Sequence, residues 1–398
     1  MLERIKKLAA SYREETVTLR RHFHAHPELS WEETATTEKI VETLKGLGYH
    51  IVKVGFGGTK SGVVAELKGG HGGKCVALRA DIDALPLQEE NDVPYKSKAG
   101  GVMHACGHDS HAAMLLGAAK ILAEIKDELH GTIRLIFQPA EESGLRPGAK
   151  IMVEEGVLEG VDVISGLHIW APEPAGKIVY RSGPFMAAAD GWYLTIQGKG
   201  GHGSAPEISV DPTIAAANIV LNLQAMMARE VSARETAVLS VGVIKAGDTA
   251  FNIIPDTVKM NGTVRTFRPE IQDHVEEALR RTVEGACAMG RCTFNLEYKR
   301  FLPATINDHD TTMLLKATCE ELFGAENVEE SPLIMGSEDF SYFQREIPGA
   351  FFFVGGGNPE KGCNSPHHHP KFSVDEDAFP VGVAALAGFA WTWLEKNK

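Results

Sequence analysis

The chain has 398 residues and a formal net charge of -13 at pH 7, so we expect an acidic surface. An acidic surface argues against nucleic acid and against an anionic membrane as the main partner. At roughly 100 to 200 residues per domain, the length predicts two domains. The six cysteines are scattered along the chain and do not form a disulfide framework, which favours a reducing cytoplasm. We therefore expect a folded cytoplasmic protein with no nucleic-acid or membrane partner.

The first part of the chain alternates between strand-like and helix-like runs. Residues 1–48 predict two helices, of which the second begins near Trp31 and ends at Gly46 to Gly48. Strands are then predicted at 62–68, 75–80, 132–138 and 162–168, with helices at 110–126 and 148–155. This alternation predicts an α/β fold with a doubly wound, mostly parallel sheet. Ligands of such sheets bind beyond the carboxyl ends of the strands.

The pattern changes near residue 183 and changes back near residue 303. Between them the sequence predicts a βαββαβ order in the ranges 191–197, 212–229, 237–245, 257–268, 269–289 and 293–300. This order is typical of a ferredoxin-like unit. We expect a discontinuous catalytic, metal-binding domain, 1–182 and 303–398, and an inserted lid or dimerisation domain, 183–302. The open edge of a four-stranded sheet predicts pairing with a second copy, as a homodimer or a dimer of dimers.

Two short segments concentrate side chains that bind metal ions, Met103–His111 and Gln138–Glu142. Cys106 and His108 are two residues apart and cannot share one face of a helix, but an extended loop can bring both to one ion. The paired glutamates follow an apolar strand, where one carboxylate can bind metal and the other can act as a base. These two segments predict a metal-dependent catalytic centre.

Each of these residues also has a purely structural interpretation. Free cysteine is among the most buried side chains, so Cys106 is also compatible with a core position. Glu141 and Glu142 would suit the start of a helix, where carboxylates interact well with the helix dipole. His168, at the end of the run Val163–Leu167, is also compatible with a buried polar residue. Taken singly, the residues leave both interpretations open.

Six motifs are spread in order over nearly the whole chain. They are Arg20–Leu29, Leu78–Pro86, Met103–Met114, Gln138–Glu142, Gly200–Pro206 and Met335–Phe340. Together they resemble the aminoacylase/carboxypeptidase family of two-metal peptidases, peptidase family M20. They most resemble its amidohydrolase subgroup, which includes N-acyl-L-amino acid amidohydrolases, hippurate hydrolases and plant auxin-conjugate hydrolases. The resemblance implies two divalent metal ions per subunit, with Zn, Mn, Co and Ni as the candidates.

The resemblance also implies a ligand set. Cys106 would bridge the two ions, Glu142 and His368 would hold one of them, and His108 and His168 would hold the other. The choice of the middle histidine of 367–369 rests on the motif His-x-Pro-x-Phe, which matches 368–372.

One ligand position of the wider family is changed in this chain. There a histidine two residues before Asp81 binds metal, whereas this chain has Arg79 at that position. The resemblance to the amidohydrolase subgroup implies that His108 would replace the missing ligand. His104 and His111 are not needed as ligands.

Glu141 is left as the uncoordinated general base, which would take a proton from the attacking water and give it to the leaving nitrogen. In relatives the histidine that corresponds to His202 reaches across a dimer to the partner's active site, where it would donate a hydrogen bond to the oxyanion.

Four further residues are expected to support binding. Asn252 and Arg265 resemble the family's pair for the substrate carboxylate, which a planar guanidinium binds with two parallel hydrogen bonds. For Arg265 the alternative is a surface salt bridge. Asp81 and Asp109 are candidates to orient ligating imidazoles through hydrogen bonds.

These roles predict a metal-dependent amidohydrolase that cleaves the amide bond of N-acyl-L-amino acids, of the N-acetyl or N-benzoyl type. A metallo-carboxypeptidase that acts on short peptides is the nearest alternative. Two alternatives belong to other classes: a thiol hydrolase with Cys106 as nucleophile, and a non-catalytic metal-binding protein. The uncoordinated Glu141 argues against the last, since a structural metal site needs no base.

Overall fold

The computed structural model describes residues 1–248 and 250–398, which divide into two compact units. The first comprises Met1–Gly183, Ile306–Pro332 and Asp339–Lys398, and the second comprises Pro184–Thr305 and Leu333–Glu338. The sequence does not predict that the short segment 333–338 belongs to the second unit. It is held there because the Ala187 backbone N–H lies 3.0 Å from the carbonyl oxygen of Ile334 and 2.9 Å from that of Gly336. The catalytic role of the first unit and the lid or dimerisation role of the second stay predictions.

The helices and strands are numbered in chain order. The α-helices are α1 (Leu2–Ser11), α2 (Arg13–Ala25), α3 (Thr34–Gly46), α4 (His108–Glu124), α5 (Gly148–Glu154), α6 (Pro212–Glu230), α7 (Pro269–Met289), α8 (His309–Phe323), α9 (Ser341–Gln344) and α10 (Phe379–Lys396). The strands are β1 (His50–Val54), β2 (Val63–Lys68), β3 (His71–Asp81), β4 (His130–Gln138), β5 (Val163–Pro174), β6 (Ile178–Tyr180), β7 (Gly183–Met186), β8 (Ala188–Gln197), β9 (Gly201–His202), β10 (Ala237–Ala246), β11 (Ile253–Ile254), β12 (Thr257–Thr266), β13 (Thr293–Leu302), β14 (Thr305–Asn307), β15 (Val328–Glu330) and β16 (Gly349–Gly357).

The first unit is built on an eight-stranded sheet with the order β1-β2-β4-β3-β5-β16-β6-β15. Its four central strands, from β4 to β16, run parallel. β1 and β2 join one side in antiparallel fashion, and β6 is antiparallel to β16 on the other side. The predicted α/β fold with a mostly parallel sheet is therefore confirmed.

Side chains alternate across β3, which places a charged group on one face of the sheet. Leu78 and Ala80 belong to the large core that also contains Leu115 of α4 and Val383 of α10. Arg79 lies between them and must point to the opposite face. Its guanidinium donates to Asp339, whose carboxylate also accepts from the Ala149 N–H in α5. Helices thus cover both faces of the sheet, as in a doubly wound fold.

The N-terminal region differs from the prediction of two helices, because the first predicted helix is divided at Tyr12 into α1 and α2. α1 packs mainly against α10, whereas α2 packs mainly against α4. The break allows the two segments to follow different neighbours, which a local sequence pattern does not reveal.

By length and composition alone, the C-terminal helix is long and apolar enough to cross a membrane. The segment Glu376–Lys396 has 21 residues and a mean hydropathy of 1.2, and 72% of its apolar stretch is buried inside the protein. Its side chains Val383, Leu386, Phe389 and Leu394 pack in the core of the first unit. The apolar character of α10 is therefore accounted for by this burial.

The second unit has the chain order β8-α6-β10-β12-α7-β13, which is the predicted βαββαβ arrangement. Its four strands form an antiparallel sheet with the order β10-β12-β8-β13, so β10 and β13 are the edges. α6 begins at Pro212 after Asp211, whose carboxylate accepts from the Thr213 N–H at 2.9 Å, a favourable N-cap. Trp192 and Leu223 are fully buried in this unit's own core.

Candidate metal centre

Several candidate site residues of the first unit lie on, or directly after, three parallel strands. Asp81 is the last residue of β3, and Glu141 and Glu142 follow β4 after Pro139 and Ala140. His168 lies inside β5, which continues to Pro174, so the prediction that His168 ends its strand is wrong. The strand extends because its pairing with β16 continues beyond Phe353, the register partner of His168.

The loop before α4 brings Cys106 to His168. Gly107 has φ +100°, and a Cβ at this position would lie 2.4 Å from Ile169 Cγ2, so no other residue fits there without a shift. Cys106 Sγ lies 3.3 Å from His168 Nε2. His168 Nδ1 lies 2.6 Å from the Ile169 carbonyl oxygen, to which it donates, so the neutral imidazole presents the lone pair of Nε2 toward the thiol.

A second group of ligand atoms also contains Cys106. One ligand atom each from Cys106, Glu142 and His368 lie within 4.8 Å of one another. His368 Nε2 approaches Glu142 Oε1 to 3.1 Å, although not with the geometry of a hydrogen bond. His368 has φ +62°, and its N–H donates to the Ala105 carbonyl oxygen at 2.8 Å. An unfavourable backbone conformation therefore holds this imidazole next to Glu142.

The two neighbouring histidines are engaged elsewhere. His367 Nδ1 lies 3.2 Å from the Cys106 carbonyl oxygen, and its Nε2 accepts from the Ala171 N–H at 3.1 Å. His369 Nδ1 accepts from the Lys371 N–H at 3.0 Å, and its side chain is exposed. Of the three consecutive histidines, His368 is the one whose ring nitrogen meets the paired glutamates.

His108 begins α4 and is held by the carboxylate of Asp83, which is not among the predicted site residues. Its Nδ1 lies 3.1 Å from Asp83 Oδ1, and one of its ring nitrogens lies within 4.8 Å of a carboxylate oxygen of Glu141 and one of Glu142. No such grouping joins His108 to Cys106 and His168 in the described part of the chain, where His367 takes that place. The rings of His108 and His168 are 6.0 Å apart.

The cluster has the properties of a site for divalent metal ions. Two of its buried atoms, His108 Nε2 and Glu142 Oε1, have no hydrogen-bond partner among the described residues. Buried polar atoms are normally paired, so both are suited to bind a cation. Thiolate, imidazole and carboxylate are ligands that zinc and related transition metals accept. The residues therefore fit the implied pair of ions.

The charges of the site also favour a cation. Burial and the nearby Glu142 and Glu141 carboxylates raise the pKa of the Cys106 thiol well above its usual value. Burial lowers the pKa of His168 well below its usual range, and neighbouring histidines lower it further. Burial alone would also lower the pKa of His108, but the Asp81 and Asp83 carboxylates raise it to about 10. A bound cation would replace the protons that Cys106 and His108 otherwise retain.

Asp81 belongs to a buried network. Its Oδ1 lies 2.5 Å from His111 Nδ1, and its Oδ2 accepts from Arg79 at 2.8 Å and lies 3.7 Å from His108 Nε2. His111 Nε2 accepts from the Ile169 N–H at 2.8 Å, so both nitrogens of His111 are used. One ligand atom each of Asp81, His108 and His111 lie within 4.8 Å of one another, so the prediction that His111 is not needed as a ligand stays a prediction.

Asp109 has different partners from those the sequence predicts. Its Oδ2 lies 2.7 Å from His24 Nδ1 and 2.9 Å from Arg20 Nε, and its Oδ1 accepts from the Ser110 N–H. All of these side chains are buried. Asp109 thus joins α2 to the start of α4, and among the described residues none of its hydrogen bonds or ion pairs involves the five predicted ligands. The residue that directly contacts a ligand imidazole is Asp83, which the motif Leu78–Pro86 contains.

The other predicted residues lie in the second unit. His202 is exposed, and its Nδ1 accepts from the Ser204 N–H at 3.2 Å, so the neutral ring carries its proton on Nε2. β9 pairs with β11, and the Gly203 N–H donates to the Asn252 carbonyl oxygen at 2.8 Å, which brings the turn residue Asn252, directly before β11, close to His202 in β9. The contacts do not join Arg265 to this pair.

Arg265 is half-buried in β12. It donates to the Thr263 hydroxyl and, at 3.0 Å, to the Val264 carbonyl oxygen. Burial lowers the pKa of its guanidinium. The alternative of a surface salt bridge is not found, since no carboxylate of the described residues lies within ion-pair distance of Arg265.

Comparison with known proteins identifies relatives over the full length. The family model "Peptidase family M20/M25/M40" matches residues 77–392. The chain is 41% identical over 388 residues to Thermostable carboxypeptidase 2 of Saccharolobus solfataricus, which covers 97% of each chain. It is 41% identical over 384 residues to N-acetylcysteine deacetylase of Bacillus subtilis, which covers 96% of this chain and 97% of that protein. The crystal structure of the Bacillus subtilis protein YXEP, described as a dinuclear metal binding peptidase of the M20 family, superimposes with a TM-score of 0.84 at 37% identity, over 97% of this chain and 99% of that one.

Proposed function

Because the chain belongs to peptidase family M20, we propose that it is a metal-dependent amidohydrolase that cleaves N-acyl-L-amino acids to a carboxylate and a free amino acid. The observation that carries the proposal is that Cys106 Sγ belongs to two separate groups of ligand atoms, one with His168 and His367 and one with Glu142 and His368. A single sulfur shared by two groups is what a bridging ligand between two ions requires.

The five ligands are assigned as the sequence predicts. Cys106 would bridge, Glu142 and His368 would hold one ion, and His108 and His168 the other. The lone pair of His168 Nε2, fixed by the hydrogen bond of Nδ1, supports this role. When bound, the two ions supply an acidic water and polarise the amide carbonyl.

Glu141 is the proposed general base. Glu141 is buried and stands beside Glu142, with one carboxylate oxygen within 4.8 Å of a ring nitrogen of His108. A carboxylate at this position can take the proton of the attacking water and return it to the leaving nitrogen, so one group serves in both halves of the reaction. General acid–base catalysis of this kind contributes about 10²- to 10⁴-fold in rate.

The second unit is proposed to bind the rest of the substrate. The half-buried guanidinium of Arg265, which has no carboxylate partner in the described chain, would bind the carboxylate of the amino acid, with Asn252 beside it. His202 would donate from Nε2 to the oxyanion of a partner subunit's substrate, since its Nδ1 is already an acceptor.

We propose a homodimer formed through the second unit, with assembly into a dimer of dimers as the larger alternative. β10 is an edge strand that exposes Val243 and Ile244, and the neighbouring α6 exposes Leu221 to 68%. An exposed apolar edge strand is a surface that a second copy can cover. A cytoplasmic location is proposed with it, because the described cysteines are all free.

The alternatives make different predictions about the same groups. A carboxypeptidase would use the same ligands and Arg265 on a peptide instead of an N-acyl amino acid, and the name of the Saccharolobus relative favours keeping this candidate. A thiol hydrolase would need an accessible Cys106 of low pKa, whereas its pKa is raised by burial and by two carboxylates.

The test is elemental analysis of the purified protein followed by hydrolysis assays on N-acetyl, N-benzoyl and dipeptide substrates. We expect about two divalent ions per subunit, loss of activity with EDTA and its return with Zn, Mn or Co. Glu141→Gln should keep the metal and lose about 10²- to 10⁴-fold in kcat, whereas Cys106→Ala should lose metal. A metal-loaded protein that hydrolyses none of these substrates would contradict the proposal, and EDTA-resistant activity would favour the thiol hydrolase.

A further inference from the structure

The turn that carries the paired glutamates has an unfavourable backbone. Ala140, directly before Glu141, is fully buried and has φ +54°, in the left-handed region that side-chain-bearing residues seldom adopt. Such a conformation persists only where the surrounding structure holds it. The orientation of Glu141 and Glu142 therefore depends on whatever fixes Ala140.

Two hydrogen bonds fix Ala140 from opposite sides. Its N–H donates to Glu33 Oε1 at 2.8 Å, and its carbonyl oxygen accepts from the Gly148 N–H at 3.0 Å. A Cβ at position 148 would lie 1.7 Å from the Pro139 carbonyl oxygen, so only glycine fits this close approach. Among the described residues, Glu33 is the one whose side chain bonds to Ala140.

Glu33 is placed to bind the Ala140 N–H and not to cap the N-terminus of α3. Glu33 is the N-cap residue of α3, yet its side chain does not bind an N–H of that helix. The Ala35 and Thr36 N–H groups are bound instead by the carboxylate of Glu28, at 3.0 and 2.8 Å. Glu33 is completely buried, 107 residues before Ala140 in the chain.

Burial, together with the nearby Asp83 carboxylate, raises the pKa of Glu33 to about 8. Near pH 7 the side chain therefore carries a proton and adds no unpaired charge to the interior. Glutamine has nearly the same shape as this neutral acid and offers the same acceptor oxygen to the Ala140 N–H, so it is the conservative replacement.

The same segment also reaches the opposite side of the turn. Ser30 Oγ donates to Asp83 Oδ2 at 2.7 Å, and this oxygen accepts from the Glu142 N–H at 3.0 Å. The other oxygen of Asp83 contacts His108 Nδ1. The stretch Ser30–Glu33 thus braces the site on both sides of Glu141.

We propose that Glu33 is a positioning residue, which through the Ala140 turn sets the position of the base Glu141 and the metal-binding carboxylate of Glu142. The part of the proposal that concerns Glu141 rests on the proposed function, in which Glu141 is the base. The effect of Glu33 on the position of Glu142 does not depend on that function. Two separate readouts therefore follow, kcat for Glu141 and metal affinity for Glu142.

The experiment compares Glu33→Ala, Glu33→Gln and Glu28→Ala in the full-length protein. Glu28 is the matched control, since it is a glutamate five residues earlier that also accepts from backbone N–H groups but bonds only α3. We measure kcat and KM on an N-acetyl amino acid, the Zn²⁺ dissociation constant by competition with a chelating dye, and the thermal midpoint.

We expect Glu33→Ala to lower kcat by about 10²-fold, because a small misplacement of a reacting group has that effect. Its Zn²⁺ affinity should fall by about 10-fold or more, as when a ligand loses its support. Glu33→Gln should restore both values to within about threefold of the unchanged protein, and Glu28→Ala should lower the thermal midpoint with kcat and Zn²⁺ affinity unchanged.

Several results would overturn the proposal. They are unchanged kcat and Zn²⁺ affinity in Glu33→Ala, equal losses in Glu28→Ala, or a Glu33→Gln variant no better than Glu33→Ala. Should the unchanged protein hydrolyse no substrate, the proposed function fails by itself. The Zn²⁺ affinities then still decide whether Glu33 positions Glu142.

Discussion

Arg265 is a half-buried cation whose partner is proposed to arrive with the substrate. Burying a charge without a partner is costly, so such a residue is retained where it binds something. Its two hydrogen bonds within the chain, to Thr263 and Val264, orient the guanidinium, and the Asp190 carboxylate interacts with its charge without forming an ion pair among the described residues.

Arg265→Ala should raise KM for an N-acetyl amino acid by about 10- to 150-fold, the equivalent of about 1.5 to 3 kcal/mol for hydrogen bonds to a charged group. Arg265→Lys should recover little, because an ammonium cannot form the two parallel bonds. The steady-state kinetics of both variants check this, with the corresponding N-acetyl amino acid amide as a substrate that lacks the carboxylate. Arg268→Ala, which removes an exposed ion pair with Glu235, is the matched control. Equal effects on both substrates would show that Arg265 does not bind the carboxylate.

At the scale of the elements, the second unit has two edge strands, and they differ in character. β10 exposes Val243 and Ile244, while β13 carries charged side chains such as Lys299 and Arg300 that discourage pairing. The difference predicts which edge joins two subunits.

The double substitution Leu221→Lys/Ile244→Lys should convert a dimer to monomers, since two buried charges would face each other across the two-fold axis. Analytical ultracentrifugation measures the mass directly. Val52→Lys/Val54→Lys in β1 changes an equally exposed edge strand of the other sheet, at 48% and 49% exposure, and should leave the assembly intact. A dimer that survives the first pair of substitutions, or is lost with the second, would place the interface elsewhere.

The elements that the sequence predicts well are those with a strong local pattern. β2 to β4, α4, α5 and the whole βαββαβ unit lie within a few residues of their predicted bounds, and α6 and α7 begin at the predicted prolines, whereas β5 continues past its predicted end at His168 to Pro174. The short strands β6 and β15 have three residues each and are fixed by pairing with distant neighbours, which no local periodicity encodes. The division of the first helix at Tyr12 is decided by packing in the same way.

The site shows the same limit. The side chains that converge on Cys106 could be selected from the sequence because they stand in compact motifs. The support from Glu33 and Asp83 could not be selected from the sequence. It depends on contacts between residues that are 107 and 59 positions apart in the chain. The sequence also does not predict that His367 lies with Cys106 and His168, since this grouping depends on the path of the loop through His368.

At the scale of the molecule, all five proposed ligands belong to the first unit, while the second unit has its own core around Trp192. Metal ions should therefore stabilise the first unit selectively. At a free concentration 100 times the dissociation constant, one bound ion adds about 2.7 kcal/mol to the free energy of unfolding.

Differential scanning calorimetry with and without EDTA should show one transition that moves with metal and one that does not. The second transition should coincide with the fluorescence change of Trp192 in a variant whose other four tryptophans are replaced by phenylalanine. Cys106→Ala should abolish the metal-dependent shift, and Glu141→Gln should preserve it. A single transition that shifts as a whole would indicate that the two units unfold together.

The affinity of the site for metal should also depend on pH, and the pKa values of the ligands determine the direction of this dependence. In the metal-free protein, Cys106 and His108 both hold protons near pH 7, because their pKa values are raised, for His108 to about 10. Ligands bind metal in the deprotonated state, so binding releases protons and the apparent affinity falls as the pH falls.

Titration calorimetry in two buffers of different ionisation enthalpy measures the number of protons released. We expect up to two at pH 7, one each from Cys106 and His108. His108→Asn should release one fewer, whereas Glu141→Gln should not change the contribution of either residue. An affinity that stays constant over about two pH units below 8 would contradict the linkage.

The buried guanidinium of Arg79 has a consequence for how such a site can change over evolutionary time. It is bound by Asp81, Gln138 and Asp339, from three separate segments, and none of these side chains is exposed. Replacing Arg79 with the histidine of the wider family would not simply restore a ligand, since it would leave the two aspartates without their shared cation. Descent between the two ligand arrangements should therefore pass through coordinated substitutions at positions 79, 138 and 339, with each single step less fit than either end.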